Sequence, residues 1–300
     1  MRITQTVTVL FLSLFFLSSL YAAEYKVAVR AHHGIETAYK EWQATITYLS
    51  EQLPEHTFIL KPIISLDEIT TAAGRGEYDF VLTNPSSYIE VSKIYHAKAL
   101  LTLNNKRANT AQDRFGSVIF THAGNENIMK LDDLKGKTLM AVSESAFGGW
   151  RVAWLELLKN NLDPYVDLKS VVFPDKPVQQ QVVYAVLKGE VNAGVVRTDQ
   201  LERMEAAGKI DMRYLRILNN KNVEGFPFFL STDLYPEWVI AAMKNVPANV
   251  SLRVTQVLLS IKSQHPAAQA GKYVGWKPAL NYDSVENLMQ ELKVGPFAQQ

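Results

Sequence analysis

The sequence predicts an α/β fold of two lobes, each a mostly parallel sheet flanked by helices, joined by two crossing segments. Three observations predict it. Strand-like and helix-like apolar patterns alternate along both halves of the chain. The segment Arg75-Gly76-Glu77-Tyr78-Asp79-Phe80-Val81-Leu82-Thr83 is echoed by Lys188-Gly189-Glu190-Val191-Asn192-Ala193-Gly194-Val195-Val196-Arg197-Thr198. Each follows a helix pattern, feeds an apolar strand and ends in a polar turn with a new helix behind it, as expected of two lobes of like construction. At 300 residues and 47% hydrophobic content, the chain also exceeds what most single compact cores organise.

Residues 1–23 read as an export signal. Met1-Arg2 forms a weakly basic head, and Val7 to Leu20 is an apolar run interrupted only by Thr8, Ser13, Ser18 and Ser19. That length suits a signal-peptide core and is short for a membrane span. Cleavage is expected after Ala22 or Ala23, with a retained anchor as the alternative.

Tyr25 to Arg30 then alternates as a strand, and Ile35, Tyr39, Trp42, Ile46, Leu49 and Leu53 recur at helical steps. A strand is expected at Thr57 to Pro62, and Ser65-Leu66-Asp67-Glu68 fits a capping box opening a helix that ends near Gly74 or Gly76. The strand Tyr78 to Leu82 runs into the turn Thr83-Asn84-Pro85-Ser86-Ser87-Tyr88, and another helix follows through Ile94.

Phe115 to Thr121 alternates as a strand and is expected to cross into the second lobe. There, Thr138 to Val142 is a buried-strand run, and Val152, Trp154, Leu155 and Leu158 carry helical spacing. Ser143-Glu144-Ser145-Ala146-Phe147-Gly148-Gly149-Trp150 is therefore a strand-to-helix turn. The return crossing is expected around Leu215 to Ser231, with Phe226 to Leu230 as a strand. Helices are expected near Pro236 to Lys244, Val250 to Ser263 and Ser284 to Lys293. The first lobe is thus 24–117 with 222–300, and the second is 118–221.

Composition narrows the function. The chain contains no cysteine, which removes disulfides, thiolate metal sites and a cysteine nucleophile. Without residues 1–23, 30 basic residues face 30 acidic ones, and no basic cluster suggests nucleic acid. Adjacent His32 and His33 cannot both face one metal from a regular element, and no carboxylate sits at ligand spacing, so no metal is expected. Nor does any cofactor motif occur: both glycine patterns of nucleotide cradles are missing. An enzyme would need a nucleophile and base among Ser145, Ser87, His33, His32 and His122, and nothing spaces them as a nucleophile elbow.

Sheets of this kind hold ligands beyond the carboxyl ends of their strands. Arg30 to Gly34, Thr83 to Tyr88, Ser143 to Gly149 and Arg197-Thr198 all occupy that position, so four turns are expected to face one site. Ser143 and Ser145 offer hydroxyls, and Phe147, Gly148 and Gly149 offer helix N-terminal amides that suit an anion. Arg197 offers a charged fork, with a surface salt bridge as the plainer alternative. Asn84, Ser86, Ser87, Tyr88 and Thr198 complete the expected lining, and Arg30 or His33 adds charge. Glu144 is expected to face away, since side chains alternate at a strand end. Trp238, Trp276 and Tyr282 are most simply packing aromatics.

These residues resemble the phosphonate-binding-protein-like branch of the type II periplasmic binding proteins. The carriers are Arg75 to Asp79 before Thr83 to Tyr88, the run Leu131-Asp132-Asp133-Leu134-Lys135-Gly136-Lys137, and Lys188-Gly189-Glu190. The Phe147-Gly148-Gly149 turn, the Val196-Arg197-Thr198 strand ending and the tail through Gly295-Pro296-Phe297 look more like the periplasmic sensor domains of tetrathionate-sensor-like histidine kinases. The resemblance implies a monomeric periplasmic solute-binding protein that captures a small oxyanion, phosphate- or phosphonate-like or a sulfur oxyanion. Its partner would be the permease of an ABC importer, or alternatively a membrane histidine kinase for which it is the input module.

Overall fold

The computed structural model describes residues 23–176 and 178–298. All of the expected export signal except Ala23 lies outside them. The first strand, β1 (Ala23–Arg30), is followed by α1 (Ile35–Gln52), β2 (His56–Ile63), α2 (Leu66–Gly74), β3 (Phe80–Thr83), α3 (Pro85–Tyr95), β4 (Lys98–Arg107) and β5 (Thr110–Gln112). The chain continues through β6 (Arg114–Phe115), β7 (Ser117–His122) and β8 (Thr138–Met140) into a π-helical turn (Phe147–Arg151) and α4 (Val152–Lys159). Next come β9 (Ser170–Val172), α5 (Gln179–Leu187), β10 (Ala193–Arg197), α6 (Gln200–Ala206) and β11 (Leu215–Leu218). It closes with β12 (Tyr235–Pro236), β13 (Val239–Ala242), α7 (Ala248–Ser260), α8 (Pro266–Gly271), β14 (Tyr273–Pro278) and α9 (Asp283–Glu291).

Two open sheets result. The first has the order β14-β4-β13-β3-β1-β2 with β5 beside β4, and the second has the order β11-β7-β10-β8-β9. The pairings β2-β1-β3 and β9-β8-β10 are parallel, as the alternating pattern requires. Antiparallel strands complete each sheet: β13 between β3 and β4, and β7 between β10 and β11. β6 and β12 pair antiparallel and form the ribbon between the sheets.

The echo between the halves is structural. Arg75 and Lys188 cap α2 and α5, and Gly76 (φ 64°) and Gly189 (φ 72°) take the left-handed conformation that favours glycine. Glu77 N–H donates to Ala72 and Glu190 N–H to Ala185; Asp79 then bonds Lys26 of β1, and Asn192 bonds Thr138 of β8. The same hydrogen bonds therefore deliver β3 and β10 into the middle of their sheets.

Two expectations are corrected. Pro236 to Lys244 holds the strand β13 rather than a helix, because Val239-Ile240-Ala241-Ala242 is buried in the sheet. A short apolar run does not reveal its period when all its faces are covered. Phe226 to Leu230 is irregular; the return path instead lies against β7 through Ser231 N–H to Ser117 O (2.9 Å) and Ser117 N–H to Thr232 Oγ1 (3.0 Å). β4, β5, β9 and β14 have no counterpart in the sequence reading.

One apolar cluster couples the units. Phe147, Val152 and Leu155, at the start of the π turn and on α4, pack with Tyr88, Tyr282 and Leu288 of the first sheet's α3 and α9 side. Arg151 reaches Glu90 at 3.5 Å and Lys159 reaches Asp233 at 2.9 Å across the same seam.

Candidate functional site

A cavity of about 300 Å³ lies between the strand ends of the two sheets. Arg30, His32 and His33 enter from the end of β1, Asn84 from the end of β3, and Asn105 and Arg107 from the end of β4. Ser143, Ser145, Phe147, Gly148 and Gly149 enter from the turn after β8, and Arg197 from the end of β10. Ser86, Ser87, Tyr88 and Thr198 do not line it. Ser86 Oγ and Ser87 N–H both bond Asn84 Oδ1 and so cap α3, Tyr88 Oη accepts from Ala99 N–H, and Thr198 Oγ1 accepts from Gly116 N–H. Ser86 Oγ, Ser87 N–H, Tyr88 Oη and Thr198 Oγ1 thus support the turns, while the buried Ser87 Oγ has no hydrogen-bond partner among the described residues.

The turn after β8 is tightly built. An added Cβ at Gly148 would meet Phe115 Cε2 at 2.6 Å, and one at Gly149 would meet Val142 Cγ2 at 2.7 Å. Ser117 Oγ donates to Gly148 O at 2.7 Å. The glycines thus let the π turn press on the crossing strand, and the turn's leading residues Phe147, Gly148 and Gly149, whose amides have no preceding helical carbonyl, line the cleft. Glu144 is exposed and lies outside the lining.

Arg197 is neither a free fork nor a surface salt bridge. Its side chain is 12% exposed, its Nη2 donates to Glu237, whose side chain is 0% exposed, and its guanidinium carbon sits 4.1 Å from the Phe115 ring centroid. Its Nε lies 3.6 Å from Asp199 Oδ1. Glu237 also accepts from Asn105 Nδ2 (2.7 Å) and from Trp238 N–H (2.8 Å). Burial pushes the Glu237 carboxyl up, but Arg197 and Arg107 outweigh this and hold it below its ordinary range. Burial weakens Arg197 as an acid-base cation, yet Glu237 and Asp199 raise it further, so it stays charged.

Arg107 brings a second guanidinium into the cleft. Its Nη1 lies 3.7 Å from Asp199 Oδ2, and burial followed by repulsion from Arg197 pulls it down to about 10. Arg203 Nε pairs with the same Asp199 oxygen at 2.7 Å. Asp199 holds this position with a left-handed backbone, φ 73°, a conformation tolerated by Asp but uncommon outside glycine. Among the described residues, Arg30, Arg107, Arg197, Arg203 and Lys272 line the cavity against one lining carboxylate, Glu41.

The histidines contribute hydrogen bonding more than charge. Burial by the cleft walls, then His33 and Arg30, pull His32 down to about 3; burial also lowers His33. Both rings are open to cleft water, which moderates these shifts, but the direction leaves both neutral at pH 7. In an NMR titration both imidazoles are expected to titrate below about 6.5, His32 lowest, and both values are expected to rise when an anion binds, since opposite charge favours the protonated ring. Unchanged histidine pKa values on saturation with an anion would place the ligand elsewhere.

Sequence reasoning missed Arg107, Asn105 and Glu237. Arg107 and Asn105 lie at the end of β4, where the polar run Asn104-Asn105-Lys106-Arg107 after Ala99 to Leu103, apolar but for Thr102, is a signal of another strand end. Glu237 sits in the segment read as helix. A second hollow of about 710 Å³, near Lys93, His96 and Asp283, lies between α3 and the start of α9, beside the end of β14 and the start of β4.

Fold and site together define a two-lobed substrate-binding protein with its cleft between the sheets. Residues 33–283 match the family described as ABC transporter, phosphonate, periplasmic substrate-binding protein, and the chain belongs to that family. The family is one of periplasmic substrate-binding proteins rather than enzymes. The chain is 29% identical over 280 residues to the tetrathionate sensor histidine kinase TtrS of Salmonella typhimurium, covering 92% of this chain and 45% of that protein. It therefore spans about half the length of this curated relative. Among solved structures, XAC2383 from Xanthomonas citri bound to ATP superposes with a TM-score of 0.69 at 18% identity, covering 91% of this chain and 97% of that one. PhnD1 from Prochlorococcus marinus in complex with methylphosphonate gives 0.68 at 14% identity, covering 90% and 98%. These likenesses concern the fold.

Proposed function

We propose that this chain captures a small oxyanion, phosphate- or phosphonate-like or a sulfur oxyanion, in the cleft between its sheets. The observation that carries this reading is the lining of five cationic side chains against one carboxylate, with glycine-rich helix-start amides beside them. Arg30, Arg107, Asn84, Ser143, Ser145, His33 and the amides of Phe147 to Gly149 are the contacts, and Arg197 stands behind them. The two lobes, 24–117 with 222–300 and 118–221, close on the ligand because only the closed arrangement lets both touch it. Export uses the N-terminal signal, and the pairing of Ala23 with His56 at the start of β1 favours cleavage after Ala22 over cleavage after Ala23. The mature protein acts as a monomer that delivers its ligand to the permease of an ABC importer.

A second reading, as the input module of or partner to a histidine kinase, is favoured by the match of 92% of this chain to the tetrathionate sensor. A thermal-shift and calorimetry screen of phosphate, methylphosphonate, sulfate, thiosulfate, tetrathionate and carboxylates tests the common core of both. Stabilisation by an oxyanion and not by amino acids or cations is expected. Stabilisation by a neutral or cationic ligand alone would sink the anion reading. Loss of uptake on gene deletion supports the importer, whereas lost transcriptional response with uptake intact supports the sensor.

A further inference from the structure

The positive side chains of the cleft are unequally matched. Arg197 is paired with Glu237, Lys272 with Glu41 at 3.3 Å, and Arg203 with Asp199 at 2.7 Å. Among the described residues Arg107 makes its one salt-bridge contact, at 3.7 Å, with the Asp199 oxygen that Arg203 already holds, and its buried Nε has no hydrogen-bond partner. Arg30 has no carboxylate within salt-bridge reach among the described residues, and its buried Nη1 is likewise without a partner. Glu202, the nearest remaining acid on α6, accepts from Phe229 N–H and makes no ion pair with the arginines among the described residues. Five cations therefore meet three carboxylates, and the two left over are Arg30 and Arg107.

These two enter the site from different strands of the first sheet. β13 and β3 separate β4 from β1, so their strand lines lie roughly 14 Å apart, three strand spacings, and both side chains enter the same cavity. A buried cation without a partner is costly, and a ligand that supplies the missing charge relieves that cost. A neutral ligand would leave both uncompensated in a closed cleft, and a monoanion would leave one.

We propose that the cleft selects an oxyanion carrying two negative charges, with Arg30 and Arg107 as the residues that meet those charges, while Arg197 and Glu237 tie the two sheets together. This rests on the oxyanion reading above and refines it by charge class.

Calorimetry with full-length mature protein at alkaline pH tests it, using methylphosphonate, a dianion there, against methanesulfonate, a monoanion of the same shape. Thiosulfate and tetrathionate against nitrate and acetate extend the comparison. Dianions are expected to bind at least about tenfold more tightly than monoanions. Arg30→Gln and, separately, Arg107→Gln are expected to weaken dianion binding by about tenfold or more and to shrink the preference, with Arg30→Lys retaining part of it. The melting temperature of unliganded R30Q should stay the same or rise, because an unpartnered charge is removed, whereas R197Q should lower it by stranding Glu237. Monoanions binding as tightly as dianions, or R30Q and R107Q both keeping wild-type dianion affinity, would overturn the charge assignment while leaving anion binding intact. Failure of every anion to bind would instead remove the oxyanion reading itself.

Discussion

Replacing Glu237 with alanine is expected to destabilise the protein by about 3–5 kcal/mol, because it breaks a buried ion pair from one side only. Glu237 is fully buried and accepts from Arg197, Asn105 and the Trp238 amide. Without it Arg197 keeps the Phe115 ring and a 3.6 Å approach to Asp199, and Asn105 Nδ2 loses its Glu237 acceptor. The melting temperature should fall by about 10 °C, judged from the size scaling of unfolding entropy. Glu237→Gln, which keeps an acceptor but not the charge, should fall between the two. Replacing the pair together by Arg197→Met and Glu237→Leu should recover much of the loss, since apolar residues of similar volume carry no desolvation penalty. Arg197 belongs to β10 and Glu237 to the β12–β13 segment, so the pair also bridges the second unit to the first. A fall in melting temperature as small as that of an exposed carboxylate would show that the pair contributes little.

Gly148→Ala is expected to cost about 1–3 kcal/mol by overpacking and to abolish tight ligand binding. The new Cβ would stand 2.6 Å from Phe115 Cε2 and 2.9 Å from Cδ2. Phe115 cannot yield easily: Arg197 lies over its face at 4.1 Å, and Phe147 meets it in a T-shaped contact at 5.9 Å. The turn must therefore retreat, carrying Ser145 and the amides of Phe147 to Gly149 away from the cleft. Chemical denaturation and calorimetry on one preparation separate the two effects. A variant that binds its anion with unchanged affinity would remove this turn from the site.

The pattern that proved most informative was the turn at the end of each central strand. Arg30, Asn84, Ser143, Ser145 and Arg197 were readable as cleft residues because strand polarity alone puts the ends of parallel neighbours on one edge. Gly148 and Gly149 were readable as loop punctuation, but only packing against Phe115 and Val142 shows why no side chain fits. Ser86 and Ser87 show the converse: the Ser86 hydroxyl and the Ser87 amide are spent on Asn84 in capping α3, and neither residue lines the cleft.

The sequence by itself determined the α/β alternation, the paired construction of the halves, the crossing near Phe115 and the polar turns at the strand ends, since each depends on residues near one another in the chain. Only the tertiary structure decided that Val239 to Ala242 is a central strand, because burial on both faces erases periodicity. It also decided which arginines are spent. Arg197 and Glu237 are 40 residues apart, and Arg107 and Asp199 are 92 apart in numbering, so no local pattern records their pairing. Long-range ion pairs are set by how the sheets meet, and with them the charges left over for a ligand.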